Sequence, residues 1–287
     1  MRVSWWGAAR GTLTSVRRNH DTRAAAPPPH QLLDRVRKRQ PATEGAGGRV
    51  WRDDAEVVLT RVAPLLAVTL LALCAVLVAL GWLVTDVLDD SAFGRADLAL
   101  VRDLAENRTG ALDAVTGAAT WLANTTFVLA VMFGGAVVAA RRTRRWVAPV
   151  FLVAAVGGEK LVYLVVSLLV GRDRPPVPTL GYVHATTSFP SGHVGAAVAL
   201  YGSIALLLLW SPGTSRAARV AAVAVAVVAP PLVGFARVYR GVHYATDVVA
   251  GSVMGAVWLT VIWYVLARQF APYASARPQL HRTTATA

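Results

Sequence analysis

The sequence predicts an all-α fold, a polytopic bundle of six helices that crosses a membrane. Of the 287 residues 55% are hydrophobic, the mean hydropathy is positive, and the apolar residues form separate long runs. A run of about twenty residues spans a hydrocarbon core of roughly 30 Å at about 1.5 Å per helical residue. The six predicted spans cover residues 62–84, 120–140, 147–170, 193–210, 217–236 and 247–267.

The segments outside the spans predict two tails. Residues 1–55 combine many arginines with proline-rich and glycine-rich stretches, a composition that buries little apolar surface, so we expect a disordered basic cytoplasmic tail. Residues 56–270 form the predicted six-span domain, and residues 271–287 a cytoplasmic C-terminal tail. No signal-peptide pattern precedes the first span, which is expected to act as an uncleaved anchor. Cys74 lies within that span and is expected to be a buried free thiol.

The distribution of charge predicts the topology. A net charge of +13 is compatible with a nucleic-acid partner, but the arginines are concentrated in alternate loops, at residues 1–61 and 141–145, while residues 86–113 are mainly acidic. By the positive-inside rule, this pattern predicts a multi-pass cell-membrane protein with both termini in the cytoplasm and no nucleic-acid partner. Two lysines against many arginines are typical of a bacterium with a GC-rich genome.

Two connecting segments have predicted structure. Residues 85–119 are amphipathic, with apolar side chains at near-helical spacing, and predict short helices over the outer face. Prolines at 175, 176 and 178 are expected to end the third span and to open a loop that reaches about residue 190. Pro190 and Ser191 then predict the start of the fourth helix, with Ser191 near the N-cap.

Three polar segments interrupt the apolar sequence at the predicted outer ends of spans. They are Arg172 to Pro175, Pro190 to His193, and Arg237 followed by His243 and Asp247. Charged and imidazole groups are costly at membrane depth and usually face a cavity, so we expect the three segments to share one site. Arginines match phosphate oxygens, and two histidines with a carboxylate suit proton transfer or a covalent intermediate.

Each segment also has a purely structural interpretation. Pro190-Ser191-Gly192-His193 predicts a helix start whose free N–H groups bind phosphate, but an ordinary N-cap has the same sequence. His243 and Asp247 are four residues apart, which on a helix places both on one face. The pair is either a histidine activated by a carboxylate or a structural cap of the sixth helix. Arg172 and Arg174 suit bidentate phosphate binding or snorkelling at the membrane interface.

The order of these motifs resembles the type 2 phosphatidic acid phosphatases (PAP2), whose superfamily also contains vanadium-dependent haloperoxidases and bacterial acid phosphatases. The resemblance covers about residues 60–268 and implies a six-span bundle that hydrolyses phosphate esters through a phosphohistidine, with no metal or cofactor. It makes His243 the nucleophile, Asp247 its orienting group, and His193 the acid that protonates the leaving oxygen and later activates water. The residues it implies as phosphate ligands are Arg174, Ser191, Gly192 and Arg237.

The chain departs from the family pattern at two positions. Ser167 stands where a lysine normally lies seven residues before Arg174, and Ala236 stands where serine is usual. Lys160 is two further helical turns back, roughly 10 Å toward the cytoplasm, and is expected to be a poor substitute. We therefore include Arg172 among the predicted phosphate ligands, as the residue that supplies the missing positive charge.

Glu159 and Lys160 lie near the middle of the third span. As neighbours on a helix they point in different directions and are not expected to pair with each other. Two interpretations stay open: a relay or substrate path, and structural pairing with Asn124 or Thr125 inside the bundle.

The predicted function is that of an integral membrane lipid phosphatase whose site faces the outer leaflet. The membrane location favours a lipid phosphate or diphosphate; polyprenyl diphosphate is favoured by resemblance, ahead of phosphatidate and phosphatidylglycerol phosphate. A phosphotransferase of the same fold and an inactive lipid-binding or transport relative are the alternatives, and haloperoxidase activity is less favoured because it belongs to soluble relatives.

Overall fold

The computed structural model describes residues 60, 62–143, 147–181, 187–211 and 213–274. These residues form α-helices and no β-strand, which confirms the predicted all-α class. The helices, in chain order, are α1 Ala63–Trp82, α2 Ala92–Glu106, α3 Gly110–Trp121, α4 Thr125–Thr143, α5 Val147–Val170, α6 Gly192–Trp210, α7 Arg216–Tyr239 and α8 Ala245–Ala274. A short π-helical stretch, Leu83–Val87, continues α1. The predicted tail at residues 1–55 lies outside the described residues, as do residues 275–287.

Six helices are long and apolar enough to cross a membrane, as the hydropathy pattern predicts. They are Ala63–Val87, Thr125–Arg142, Val147–Val170, Gly192–Trp210, Arg216–Tyr239 and Ala245–Leu266. The second span begins later than the predicted residue 120, because the preceding helix ends at Trp121 and Asn124 starts a new one by accepting a hydrogen bond from the Thr126 amide at 2.9 Å. The fifth span continues past residue 236 to Tyr239, so Arg237 lies in its last turn.

Helix α6 lies at the centre of the bundle and packs against α5, α7 and α8. Its contact surface consists of small and branched side chains without exposed area, among them Val194, Ala197 and Leu200. Small side chains permit close helix packing inside a membrane. The first turn of α6, which carries Gly192 and His193, is consequently surrounded by three other helices.

The turns that flank the site are shaped by glycines. Helix α5 ends at Val170 as predicted, but the residue that stops it is Gly171 with φ of +66°, four residues before the first of the predicted prolines. A glycine in the left-handed region is a common helix stop. Gly241, with φ of +74°, turns the chain between α7 and α8 and places His243 just before α8.

The two short helices α2 and α3 confirm the helical prediction for residues 85–119. Ser91 and Thr109 cap their N-termini through side-chain oxygens. Both helices are tied to the end of α7: the Tyr239 hydroxyl donates to Asp113 Oδ1 at 2.9 Å, and the Arg108 guanidinium donates to the Tyr239 carbonyl at 3.1 Å. They therefore lie over the ends of the bundle at which the predicted site residues are found.

Candidate active site

The three predicted polar segments come together around Asp247, which has no exposed surface. Its Oδ1 atom accepts a hydrogen bond from Arg172 Nη1 at 2.6 Å, and its Oδ2 atom accepts from the Ser188 hydroxyl at 2.5 Å. Its main-chain carbonyl accepts from the Ser191 amide at 2.9 Å. A single carboxylate residue in the first turn of α8 thus joins the loop after α5, the start of α6 and α8 itself.

His243 faces the same carboxylate, with 3.5 Å between His243 Nδ1 and Asp247 Oδ2. The prediction that His243 and Asp247 lie on one face of a helix is wrong. Helix α8 begins at Ala245, and His243 lies in the turn before it. Asp247 instead is the third helical residue, and its Oδ2 atom accepts from the Tyr244 amide at 2.9 Å, as in a capping box. The predicted His–Asp pair is therefore formed through a helix cap.

The environment of His243 favours its neutral form. The side chain is buried, and this burial lowers the pKa of His243 below its ordinary value of 6.5, while the contact with Asp247 acts in the opposite direction. The Asp247 carboxylate, 3.5 Å from Nδ1, favours the tautomer with its hydrogen on Nδ1, which leaves the lone pair on Nε2. A neutral, oriented imidazole of this kind suits a nucleophile.

Among the buried polar atoms that have no hydrogen-bond partner in the described residues, two belong to the predicted phosphate ligands. They are Ser191 Oγ and Arg237 Nε, and both side chains are buried. Ser191 occupies the N-cap position of α6, yet its hydroxyl makes no capping bond. Because buried polar groups are nearly always paired, these two donors suit a ligand with acceptor oxygens.

His193 and Arg174 complete the predicted set. His193 is the second residue of α6, is partly exposed, and interacts electrostatically with Arg237, His243, Lys160 and Arg174. Arg174 donates from Nη1 to the Val242 carbonyl at 2.5 Å, which brings the first polar segment beside His243. The structure therefore gathers both histidines and the arginines of the first and third segments in one region.

Arg172 differs from the role expected for it. It is buried, and besides Asp247 its guanidinium contacts Thr246 Oγ1 at 2.7 Å, Asp97 Oδ2 at 3.6 Å and the Tyr244 ring at 3.9 Å. Its positive charge is thus shared between two carboxylates. This placement suits a residue that fixes Asp247 better than one that contacts phosphate directly.

Asp97 and Ser188 were missed by the sequence analysis. Asp97 lies on α2, is 7% exposed, and accepts from the Ala245 amide at 2.9 Å and from the Thr246 hydroxyl at 2.5 Å. A signal for Asp97 does exist: it stands four residues before the fully buried Val101, on the apolar face of an amphipathic helix, where a carboxylate needs a partner.

The lysine expected to be too distant does reach the site. Lys160 Nζ donates to the Gly192 carbonyl at 3.1 Å, whereas the Ser167 hydroxyl bonds only to the Leu164 carbonyl of its own helix at 3.1 Å. Glu159 is fully buried, and its Oε2 atom lies 4.0 Å from Lys160 Nζ. The neighbours therefore do approach each other, contrary to expectation, and the anticipated partner Asn124 instead caps α4.

A cavity of about 520 Å³ adjoins the site. Arg237 and Arg240 line it together with residues of α3, including Asp113 and Trp121. Arg240 Nη1 donates to the Asp113 carbonyl at 3.3 Å, so one wall is fixed by the short helix. In the parts of the chain that the structure describes, no three His, Cys, Asp or Glu side chains are grouped as a metal site would require.

Comparison with known proteins agrees with this geometry. The family model described as the PAP2 superfamily matches residues 145–271. Phosphatidylglycerophosphatase B of Bacillus subtilis (strain 168) is 38% identical over 101 residues, which are 34% of this chain and 48% of that protein, so the match spans about half the length of this relative. The crystal structure of the first transmembrane PAP2 type phosphatidylglycerolphosphate phosphatase from Bacillus subtilis is similar, with a TM-score of 0.59 and 25% identity, covering 73% of this chain and 98% of that one. Residues 145–271 of the chain therefore match the PAP2 superfamily, in agreement with the resemblance of the motifs.

Proposed function

We propose that this protein is an integral membrane phosphatase that hydrolyses a lipid phosphate or diphosphate through a phosphohistidine on His243. The observation that carries the proposal is the pair of unpartnered buried donors, Ser191 Oγ and Arg237 Nε, beside the His243–Asp247 pair. A phosphoryl group supplies acceptor oxygens for both donors, and its phosphorus atom is the electrophile that an oriented neutral histidine attacks.

The first half of the proposed reaction forms the covalent intermediate. Nε2 of His243 attacks phosphorus, the bond from phosphorus to the lipid oxygen breaks, and His193 gives its proton to the leaving oxygen. Asp247 stabilises the positive charge that develops on the His243 ring. Because Asp247 is itself fixed by Arg172 and Ser188, little rearrangement is needed as this charge appears.

The second half releases phosphate. His193, now neutral, removes a proton from water, the water oxygen attacks phosphorus, and the bond to His243 Nε2 breaks, which regenerates the free enzyme and inorganic phosphate. Arg174, Arg237, Ser191 and the first amides of α6 stabilise the phosphoryl oxygens in both steps.

The substrate is proposed to be a membrane lipid whose headgroup enters from the outer side. The site lies at the ends of helices with membrane-spanning length, where a lipid headgroup is present and a soluble ester has no advantage. The names of the two relatives favour phosphatidylglycerol phosphate as the first substrate to test, ahead of the polyprenyl diphosphate suggested by the motif resemblance.

Purified protein tests this function directly. Phosphate release is followed in the presence of a chelator with phosphatidylglycerol phosphate, phosphatidate and a polyprenyl diphosphate, for the wild type, His243→Ala and His193→Ala. We expect release by the wild type and a loss of at least about 1,000-fold in His243→Ala, the order seen when a catalytic nucleophile is removed. Equal release by wild type and His243→Ala would contradict the mechanism, and preferred transfer to an added alcohol would indicate a phosphotransferase.

A further inference from the structure

Glu159 and Lys160 of α5 face the start of α6 but have no part in the proposed mechanism. Glu159 has no exposed surface, and neither of its carboxylate oxygens has a hydrogen-bond partner among the described residues. The ammonium nitrogen of Lys160 lies 4.0 Å from Glu159 Oε2, and the Lys160 side chain is 27% exposed. A buried carboxylate and an accessible ammonium are energetically costly at membrane depth, so we expect the two residues to have a function.

The ammonium of Lys160 lies at the phosphate end of α6. Nζ is 3.1 Å from the Gly192 carbonyl oxygen and 5.4 Å from the centre of the Tyr163 ring, and its charge acts on His193. Gly192 and His193 are the residues whose amides and ring border the proposed phosphoryl group. Lys160 thus reaches this region from α5, whereas Arg237 reaches it from the last turn of α7.

Two glycines of α6 allow this approach. A Cβ atom at Gly192 would lie 2.8 Å from the Tyr163 ring, and one at Gly195 would overlap Oε1 of Glu159. Larger residues at either position would separate α5 from α6. The close contact of the two helices is therefore what lets a side chain from the middle of α5 reach the first turn of α6.

No other described cation of α5 or of the loop behind it has this position. Arg172 is bound by Asp247 and Asp97, and Ser167 carries no charge and bonds within its own helix. Arg174 donates to the Val242 carbonyl, in the turn before α8.

We propose that Lys160 is a third cation of the phosphate site: a positioning residue that draws the phosphoryl group onto the start of α6, with Glu159 as its counter-charge in the free protein. The proposal rests on the proposed function for the identity of the ligand as a phosphoryl group. It gives the intramembrane pair a role in binding, and it replaces Arg172 as the source of the charge that Ser167 lacks.

The test compares charge removal with charge retention. Binding of tungstate and inorganic phosphate, and kcat and KM for phosphatidylglycerol phosphate, are measured for the wild type, Lys160→Met, Lys160→Gln, Lys160→Arg and Glu159→Gln. Arg141→Met, which removes an exposed cation at the far end of α4, is the matched control. Anion affinity and kcat/KM are expected to fall by about 10- to 100-fold in the two neutral Lys160 variants, as for loss of a charged contact. Lys160→Arg, Glu159→Gln and Arg141→Met are expected to keep most of the anion affinity.

Two results would overturn the proposal. Unchanged anion affinity in Lys160→Met or Lys160→Gln would exclude a role in binding, and an equal loss in Glu159→Gln would indicate an ion pair that serves only the fold.

The same measurements separate this proposal from the proposed function. Suppose that the wild type binds tungstate, that Lys160→Gln weakens this binding, and that no lipid phosphate is hydrolysed: the proposed function then fails and the Lys160 proposal stands. If the wild type hydrolyses lipid and the neutral variants match it, only the Lys160 proposal fails. If the wild type neither binds anions nor hydrolyses lipid phosphate, both fail.

Discussion

At the scale of single residues, the site depends on how Asp247 is held. The carboxylate accepts from Arg172, Ser188 and the Tyr244 amide while facing His243. With both oxygens fixed, Asp247 can select one tautomer of His243 and compensate the charge that forms on it. In the proposed mechanism, the nucleophile is thus oriented mainly by groups that do not contact the substrate.

The pH dependence of the reaction follows from the burial of His243. Its pKa is lowered from 6.5, so the reactive neutral form persists as pH falls through 6.5, and kcat/KM is expected to decline only at more acidic pH. Asp247 favours the protonated ring, so Asp247→Asn should move this acid limb to still lower pH while reducing the maximal rate. A pH profile of both proteins measures the shift. An acid limb at or above pH 6.5, or one displaced upward by Asp247→Asn, would contradict this account.

Arg172→Gln separates a positioning role from direct phosphate binding. The change leaves Asp97 and Asp247 without their buried cation, and we expect destabilisation by about 3 kcal/mol or more, with a lower kcat. Thermal unfolding in detergent and tungstate affinity are the two measurements, with Arg172→Lys as the milder control. A weakened tungstate affinity with unchanged stability would instead support the phosphate contact expected from the sequence.

The sequence predicted which polar residues come together better than it predicted the contacts between them. His243, Asp247, Ser191 and Arg237 are brought together as expected, because each stands at the end of a strongly apolar span. Asp97 was missed because it is 149 residues from its partner Thr246, and local patterns carry no information about such a contact. The reach of Lys160 was missed because it depends on how closely α5 packs on α6.

At the scale of the helices, the site requires α8 to pack closely against the start of α6. A Cβ atom at Gly251 of α8 would overlap the Ser191 carbonyl oxygen. Gly251→Ala is therefore expected to destabilise the protein by about 1 to 3 kcal/mol and to reduce phosphate release, because it displaces the phosphate-binding turn.

Gly157→Ala is the matched control for this prediction. A Cβ atom at Gly157 of α5 meets no atom within 4 Å, so alanine there should leave activity intact and raise stability by up to about 1 kcal/mol. Thermal unfolding and phosphate release are compared for the two variants. Equal behaviour of Gly251→Ala and Gly157→Ala would show that the contact with Ser191 does not matter.

The sequence predicted the presence of the helices, but it predicted their first and last residues less accurately. Hydropathy alone locates six spans, but residues 120–124 are apolar enough to be counted with the second span although they form a helix end and a turn. The stop of α5 at Gly171 depends on a backbone angle, which the sequence shows only as a glycine before charged residues.

At the scale of the whole molecule, the described residues contain six helices that are long and apolar enough to cross a membrane. The arginine distribution predicts that the site is on the outer side. Labelling with a membrane-impermeant maleimide tests this in a Cys74→Ala background. Glu106→Cys, at the exposed end of α2, is expected to react in intact cells, and Arg141→Cys near the end of α4 only after permeabilisation. The reverse pattern would place the site in the cytoplasm.

The central claim is that the phosphoryl group passes through His243. Its most direct test is mass spectrometry of peptides from protein mixed with phosphatidylglycerol phosphate and quenched in alkali, under which phosphohistidine survives. We expect phosphate on the peptide that contains His243, and none in His243→Ala. Continued turnover with no phosphate on His243 at any time point would contradict it.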